Sequence, residues 1–421
     1  MDLMAKNRAL RVFKSWGASW LIVGLGAVFY SYESLLRQSP SVMNLELMHH
    51  YHINATHFAH LVAYYYYVYA PMQLFVGLLM DRYGPKWLLS MAAFSCALGA
   101  YLFVASDLLL VAEVGRFMVG LGSSFAFVGV LKLATLWLPE ERFAIVSGSI
   151  MSLGMVGCLF GDLGLTSLVD AVGWRSASYY ASLFGLFIAV KMVFVLKDKK
   201  VDSKTPDIPS LSSLSKGLAG LIKNHQIWIN GLIGGLMWLP VSIFAETWGV
   251  FYLQNVYHLS RQSAGDACSM VFLGWAVGGP LVGWLSDYIQ QRRLIMTLGA
   301  ALAAVMVSIV LYLPGLSAQW VFPLLFFFGL FNSAQVIVFA VGRELSSQYN
   351  AGTALALTNM LVMFAGVIQP VSGFLLDYFS DSGSAYTPLS YQLALSVLPI
   401  ALLITVVLSF FLRETYGSRN V

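Results

Sequence analysis

The sequence predicts an all-α polytopic membrane protein: twelve transmembrane helices in two pseudo-symmetric six-helix halves.

 Three observations predict it. Hydrophobic residues make up 58% of the 421-residue chain and charged residues 10%, roughly the inverse of what a water-facing surface needs, so most side chains must face lipid or one another. Twelve apolar stretches reach the roughly 20 residues that cross a bilayer as a helix. Finally, a segment near the start recurs. At an offset of 206, Tyr51-His52 matches Tyr257-His258, Ala70 matches Ala276, Val76 matches Val282, Gly77 matches Gly283, Leu79 matches Leu285 and Asp81 matches Asp287. At 207, Gly122 meets Gly329, Ala144 meets Ala351, Leu168 meets Leu375 and Asp170 meets Asp377. A bundle built twice creates an interface where a solute can bind and the halves can rock.

The stretches lie near 16–36, 56–80, 86–106, 108–137, 143–168, 175–196, 226–253, 262–286, 292–313, 318–342, 352–376 and 390–412. The first follows a charged prelude with no small-residue cleavage site, so it reads as a retained helix. The second is ringed by Tyr64-Tyr-Tyr-Tyr67, Tyr69 and Gln73. Most of those rings read as packing or interfacial belt, whereas Tyr69 and Gln73, four apart beside Pro71, can share a cavity face. Cys96, Cys158 and Cys268 fall inside the third, fifth and eighth stretches without metal-type spacing and read as small core residues. After the sixth, residues 197–224 begin Lys-Asp-Lys-Lys and continue through Ser203, Pro206 and Pro209. This polar segment is the expected linker between a bundle at 1–196 and a second at 225–421.

Orientation follows from the basic residues. With a cytoplasmic N-terminus, the inner side collects Lys6, Arg8, Arg11, Lys14, Arg82, Lys86, Arg292, Arg293, Arg343, the Lys-rich 191–223 region, Arg413 and Arg419, leaving Arg37, Arg175 and Arg261 outside. Both termini are therefore expected in the cytoplasm, with the chain in a bacterial inner membrane. The net charge of +4 reports this topology and gives no reason to invoke nucleic acid. His49, His50, His52, His57 and His60 crowd the first outer loop, where they can contact metal, sense pH or stay solvated. Asn54-Ala-Thr56 matches a glycosylation acceptor, a motif short enough to occur by chance.

At the inner end of the second stretch the chain reads Gly77-Leu-Leu-Met-Asp81-Arg82-Tyr-Gly84-Pro85-Lys86. The second half repeats Gly283-Trp-Leu-Ser-Asp287, followed by Arg292-Arg293. Gly77 lets a helix approach, Gly84 permits a tight turn, and Asp81 can face the positive end of the helix starting near 352. By the repeat, Asp287 should face the helix starting near 143. Together these form the expected inner gate. The pattern resembles the loop motif between helices 2 and 3 of the major facilitator superfamily, and with twelve spans and the echo it covers nearly the whole chain. The echo departs from the pattern in carrying Tyr288 at the basic position and Gln290 at the glycine, which predicts a looser second hinge.

Ionisable residues inside a span are expensive and so point to function. Glu33 and Arg37 end the first stretch as an i,i+4 pair on one face with Tyr30 and Ser34, either as an outer-end ion pair or as substrate ligands. The run Tyr32-Glu-Ser-Leu-Leu-Arg37 resembles the first-helix arginine of the organophosphate and anion:cation symporter branches, which implies contact with a substrate's anionic group. The organophosphate branch carries a matching arginine on helix 7, where this chain has Glu246. Arg116-Phe-Met-Val-Gly120-Leu-Gly122 resembles the family's buried arginine motif on helix 4, implying proton coupling or substrate charge, with a pair to Glu113 as the structural alternative. Glu246, on a face with Ser242 and Trp238, and Asp162, matched by Gln369, can each carry a proton, because desolvation favours a neutral carboxyl. Asn332, Gln335 and Arg343 share nearly one face of the tenth stretch, while Asn359 and Gln369 lie in the eleventh. Their amides seek either a wet cavity or one another.

These residues predict a secondary active transporter working by alternating access, proton-coupled and carrying a small carboxylate-bearing solute such as an amino acid, short peptide or organic acid, and the family resemblance implies uptake. Tyr30, Arg37, Tyr69, Gln73, Arg116, Trp238, Asn332, Gln335, Asn359 and Gln369 are expected at the substrate, and Glu33, Asp162 and Glu246 at the proton. Gly77, Asp81, Arg82, Gly84, Lys86, Gly283, Asp287 and Arg292 are expected at the gate. No cofactor or bound metal is expected, and the working unit is expected to be a monomer in the bilayer. No nucleotide-binding loop is present, which argues against an ATP-driven pump, and no nucleophile and base set suggests an enzyme. The alternatives are carriage of a metal chelate, prompted by the histidines, and export of small organic molecules.

Overall fold

The computed structural model describes residues 2–138, 143–197, 220–313, 315–346, 351–380 and 386–416. Most of the linker, and the side chains of 2–16, Asp81, 143–145, 147–148 and 351, lie outside the described residues. The described chain is helical throughout, with no strand. Its long helices are α1 (Asp2–Val42), α2 (Ala55–Tyr83) and α3 (Pro85–Ala105); then α4 (Leu109–Trp137), α5 (Phe143–Val172) and α6 (Trp174–Val195). After the linker come α7 (His225–Tyr257), α8 (Arg261–Ile289), α9 (Arg292–Tyr312), α10 (Ala318–Glu344), α11 (Gly352–Tyr378) and α12 (Pro388–Ser409). Eleven are long and apolar enough to cross a membrane. The other, α2, has 29 residues, enough to cross, but its tyrosines, His57, His60 and Gln73 lower its hydropathy. It packs against α4 and α11, so much of that polar surface meets protein instead of lipid.

The sequence repeat is built as a repeat of local structure. His52 and His258, 206 apart, both end a helix in the left-handed region, at φ 53° and 54°. The preceding tyrosines are pinned alike: the Tyr51 hydroxyl donates to the Phe103 carbonyl at 3.2 Å and that of Tyr257 to the Val310 carbonyl at 2.6 Å. Asn54 then caps α2 by accepting from the His57 amide, and Ser260 caps α8 by accepting from the Ser263 amide, each filling an orphan donor of a first turn. At the other end of these helices Gly84 turns at φ 78° and Gln290 at φ 60°. The second turn therefore keeps its positive φ without glycine, and Arg292 clamps it to Asp287 and Glu344 at 2.6 and 3.0 Å.

Several helices are irregular along their length. In α7 the turns widen to a π-helical segment, Val241–Trp248, directly after Pro240, whose missing N–H interrupts the ladder. Tight 3₁₀ turns occupy Ser333–Val336 of α10 and Phe364–Ile368 of α11. Such breaks turn backbone carbonyls toward side chains, and this shapes the site below.

Polar contacts close the predicted outer end across the two halves. The Asp377 carboxylate, ending α11, accepts from the Ala55 and Thr56 amides at 3.2 and 2.8 Å and from the Thr56 and Tyr386 hydroxyls. Its repeat partner Asp170, ending α5, lies 3.4 Å from Arg261, which also pairs with Glu46. Because Arg261 is the repeat equivalent of Ala55, the two latches are symmetry mates. Toward the predicted inner end the contact reaches Gln73, which accepts from Asn359 at 2.9 Å. Beyond it, a Cβ added at Gly77, Gly283 or Gly352 would meet no described atom within 4 Å. The helix approach expected at Gly77 and Gly283 is not seen among the described residues.

Candidate functional site

Where α1, α2, α5 and α7 meet, Arg37 and Glu246 face each other from opposite halves, Nε to Oε1 at 3.0 Å. Both are almost fully buried, at 3% and 1% exposed. The Tyr66 hydroxyl donates to the second oxygen of Glu246, and the Trp238 ring stacks 5.5 Å from the guanidinium carbon. Arg37 also donates to the Cys158 sulfur at 3.2 Å. Yet its Nε–H is not aligned on Glu246, and neither Nε nor Oε1 has a hydrogen-bond partner. A guanidinium has five donors in a fork that suits a carboxylate, and here that fork is poorly used.

This corrects the reading of Glu33 and Arg37 as an ion pair within one helix. Glu33 instead accepts from the Tyr65 hydroxyl at 3.1 Å and from Ser34 at 3.2 Å. The helical spacing permitted the pair, but Arg37 turns across to the other half. Among the described residues Arg116 is likewise not paired with Glu113. Arg116 donates to the Leu36 carbonyl at 2.9 Å and sits 5.4 Å from the Tyr65 ring. It lines a small void inside the first half with Leu36 and Phe103, so its geometry steadies α1 behind Arg37.

A second polar group lies beside the first. The Gln38 amide nitrogen reaches Asp162 Oδ1 at 2.8 Å, Ser41 Oγ at 3.2 Å and the Ala245 carbonyl of the π-helical segment. Asp162, Gln38 and Ser41 are fully buried. Glu33, Asp162 and Glu246 therefore occupy three separate surroundings.

In this arrangement Tyr66, Trp238, Arg37 and Glu246 pack on one another. Several amides serve the irregular backbone of α7: Asn332 donates to the Met237 carbonyl at 2.9 Å and Gln369 to the Ser242 carbonyl at 3.1 Å. Gln335 is buried in the 3₁₀ turn. Tyr69 stacks on Tyr65 at 5.3 Å, and Tyr30 packs 5.4 Å from Phe127. At the gate, Arg82 and Lys86 lie over the rings of Tyr83 and Trp87. Asp287 pairs with Arg292 of its own half, and the Asp81 side chain and those at the start of α5 lie outside the described residues. The histidines disperse: His57 contacts Asn54, His60 contacts Tyr67, and His50 lies beside Asp107 and Arg175.

Sequence reasoning missed Tyr65, Tyr66, Gln38, Ser41 and the Ala245 carbonyl. A hydroxyl in a tyrosine run gives no sign of which ring reaches an acid. Gln38 had a weak signal, as an amide within a span next to Arg37.

A model described as Major Facilitator Superfamily matches residues 24–370. A probable sulfoacetate transporter of Cupriavidus necator is 22% identical over 336 residues, covering 74% of this chain and 76% of its own length. A probable L-galactonate transporter of Escherichia coli is 21% identical, covering 93% and 88%, and a probable galactarate/D-glucarate transporter of the same species is 21% identical, covering 78% and 80%. Among solved structures, an inward-facing, unoccupied bacterial homolog to the human lysosomal transporter Spinster superposes with TM-score 0.75 at 13% identity, covering 94% of this chain and 95% of that one.

Proposed function

This chain belongs to the major facilitator superfamily and is an integral membrane transporter, and from that premise we propose that it carries a small carboxylate-bearing solute into the cell together with protons. The observation that carries the reading is the Arg37–Glu246 pair, which joins the two halves through a guanidinium whose Nε donor is unused. An unpaired charge at this depth costs about 3–5 kcal/mol. Arg37 must therefore keep a counter-ion, either Glu246 or a carboxylate brought by the solute.

The exchange sets the coupling. A solute carboxylate takes the guanidinium fork, and Glu246, displaced into a dry site beside Tyr66 and Trp238, takes a proton. Trp238, Tyr69, Gln73 and Asn359 border the route, with Tyr30, Asn332, Gln335 and Gln369 packed around it, while Arg116 holds the α1 carbonyls in place. Glu33, held by Tyr65 and Ser34, is the neighbouring proton acceptor. The solute enters when the halves part at the Asp170 and Asp377 latches with the predicted inner gate closed, and release into the cell follows when the latches close and the inner gate parts. The relatives' names support the solute class, since sulfoacetate, L-galactonate, galactarate and D-glucarate all bear carboxylates.

The test is uptake into proteoliposomes from a pool of small carboxylic acids and their uncharged analogues, with an imposed pH gradient, read by mass spectrometry. Accumulation of one or more carboxylates is expected when the outside is acidic relative to the inside. Accumulation of uncharged analogues alone, or of nothing in the pool, ends the proposal.

A further inference from the structure

The buried Gln38 group has more oxygen than its protons can satisfy. Around the amide nitrogen stand Asp162 Oδ1, Ser41 Oγ and the Ala245 carbonyl, three acceptors for two N–H groups. The Ser41 hydroxyl is spent on the Gln38 main-chain carbonyl at 2.9 Å. Two more oxygens, Gln38 Oε1 and Asp162 Oδ2, are buried with no partner. Native interiors leave few such atoms, and a cluster of them signals a missing proton, water or ion. Turning the Gln38 amide over, an orientation that electron counts scarcely distinguish, would place Oε1 among the other three and make a cage of four oxygens.

The geometry points to a sodium-ion site formed by Asp162, Gln38, Ser41 and the Ala245 carbonyl. A hard cation takes carboxylate, amide, hydroxyl and backbone oxygens, and carbonyls from irregular helix turns near mid-bilayer are a general source of them. Asp162 supplies the compensating charge. The ligands come from α1 and α5 of one half and the π-helical segment of α7 in the other, so the ion bridges the halves and favours the arrangement with the predicted outer end closed. The site is separate from the Arg37 exchange, and sodium binding does not depend on the proposed solute.

The experiment is thermal unfolding of the purified full-length protein in detergent, titrated with NaCl, KCl or choline chloride at constant ionic strength. Sodium should raise the midpoint saturably, by about 3 °C at a hundredfold excess over its Kd, and potassium and choline should not. The rise should vanish in Asp162→Asn, shrink in Ser41→Ala and persist in Asp107→Asn, which removes an exposed carboxylate elsewhere. Coincident sodium and choline curves in the unmodified protein overturn the proposal, as does a full sodium response in Asp162→Asn. Should Asp162→Asn fail to fold, binding of radioactive sodium to the unmodified protein decides: saturable binding competed by NaCl but not by choline chloride supports the site, and its absence overturns it.

Discussion

Replacing Asp377 by alanine should open the predicted outer end. Its carboxylate accepts two backbone amides and one hydroxyl from the first turn of α2, and a further hydroxyl from Tyr386. It acts as an N-cap supplied by the other half. Loss of a cap costs about 0.5–2 kcal/mol, and loss of a carboxylate at a helix N-terminus about 0.3–1 kcal/mol more. Because these contacts exist only while the end is closed, a central sum of about 2 kcal/mol falls on that state. At 1.4 kcal/mol per tenfold, the open population rises about 30-fold. The mirror change, Asp170→Ala, should do much less: Asp170 is half exposed, and Arg261 retains Glu46, so the loss is about 0–1 kcal/mol. The assay is labelling of Ser372→Cys, a buried position one side of the latch, by a membrane-impermeant maleimide. Cys158, which touches Arg37, is replaced by serine in this background, and the buried Cys96 and Cys268 should stay silent. Labelling should accelerate by an order of magnitude or more in Asp377→Ala and at most a few-fold in Asp170→Ala. Equal rates in the two variants, or no acceleration in the first, would refute the reasoning.

Three other changes test other parts of the molecule. Glu246→Gln should cut pH-driven accumulation at least tenfold while solute exchange at equal concentrations continues, and the variant, left with an uncompensated Arg37, should melt earlier and be rescued more strongly by a transported carboxylate; transport and melting assays read both. Gln290→Gly should stabilise the protein by about 1 kcal/mol, because a left-handed non-glycine residue is strained by about that amount, and a denaturation midpoint that fails to rise contradicts this. Gly366→Ala would drive a methyl into the Tyr66 ring, so it should weaken accumulation by displacing that hydroxyl from Glu246, with expression and melting measured alongside to separate misfolding from lost coupling.

Local structure was the part of this protein most legible in its sequence. The matching Tyr-His pairs proved to be matching helix ends because the same backbone turn recurs, and the Asp170/Asp377 match proved to mark two latches. What spacing could not supply was tertiary partnership. Glu33 and Arg37 stand one turn apart, yet Arg37 meets an acid more than two hundred residues away because the other half places it closer in a dry interior. The amides of Asn332 and Gln369 read as cavity lining, but Pro240 and the π-helical turns leave carbonyls that they satisfy instead. Gly77 and Gly283 read as close-packing positions, yet no described atom lies within 4 Å of a Cβ built at either.

The most direct test of the central claim is to count protons taken up per solute in proteoliposomes, using a trapped pH dye and a labelled carboxylate that the unmodified protein transports. With the membrane potential clamped, the exchange at Arg37 predicts proton entry in step with the solute, and proton entry lost in Glu246→Gln while solute still equilibrates. Solute entry without protons in the unmodified protein, or an unchanged proton count in Glu246→Gln, would contradict it.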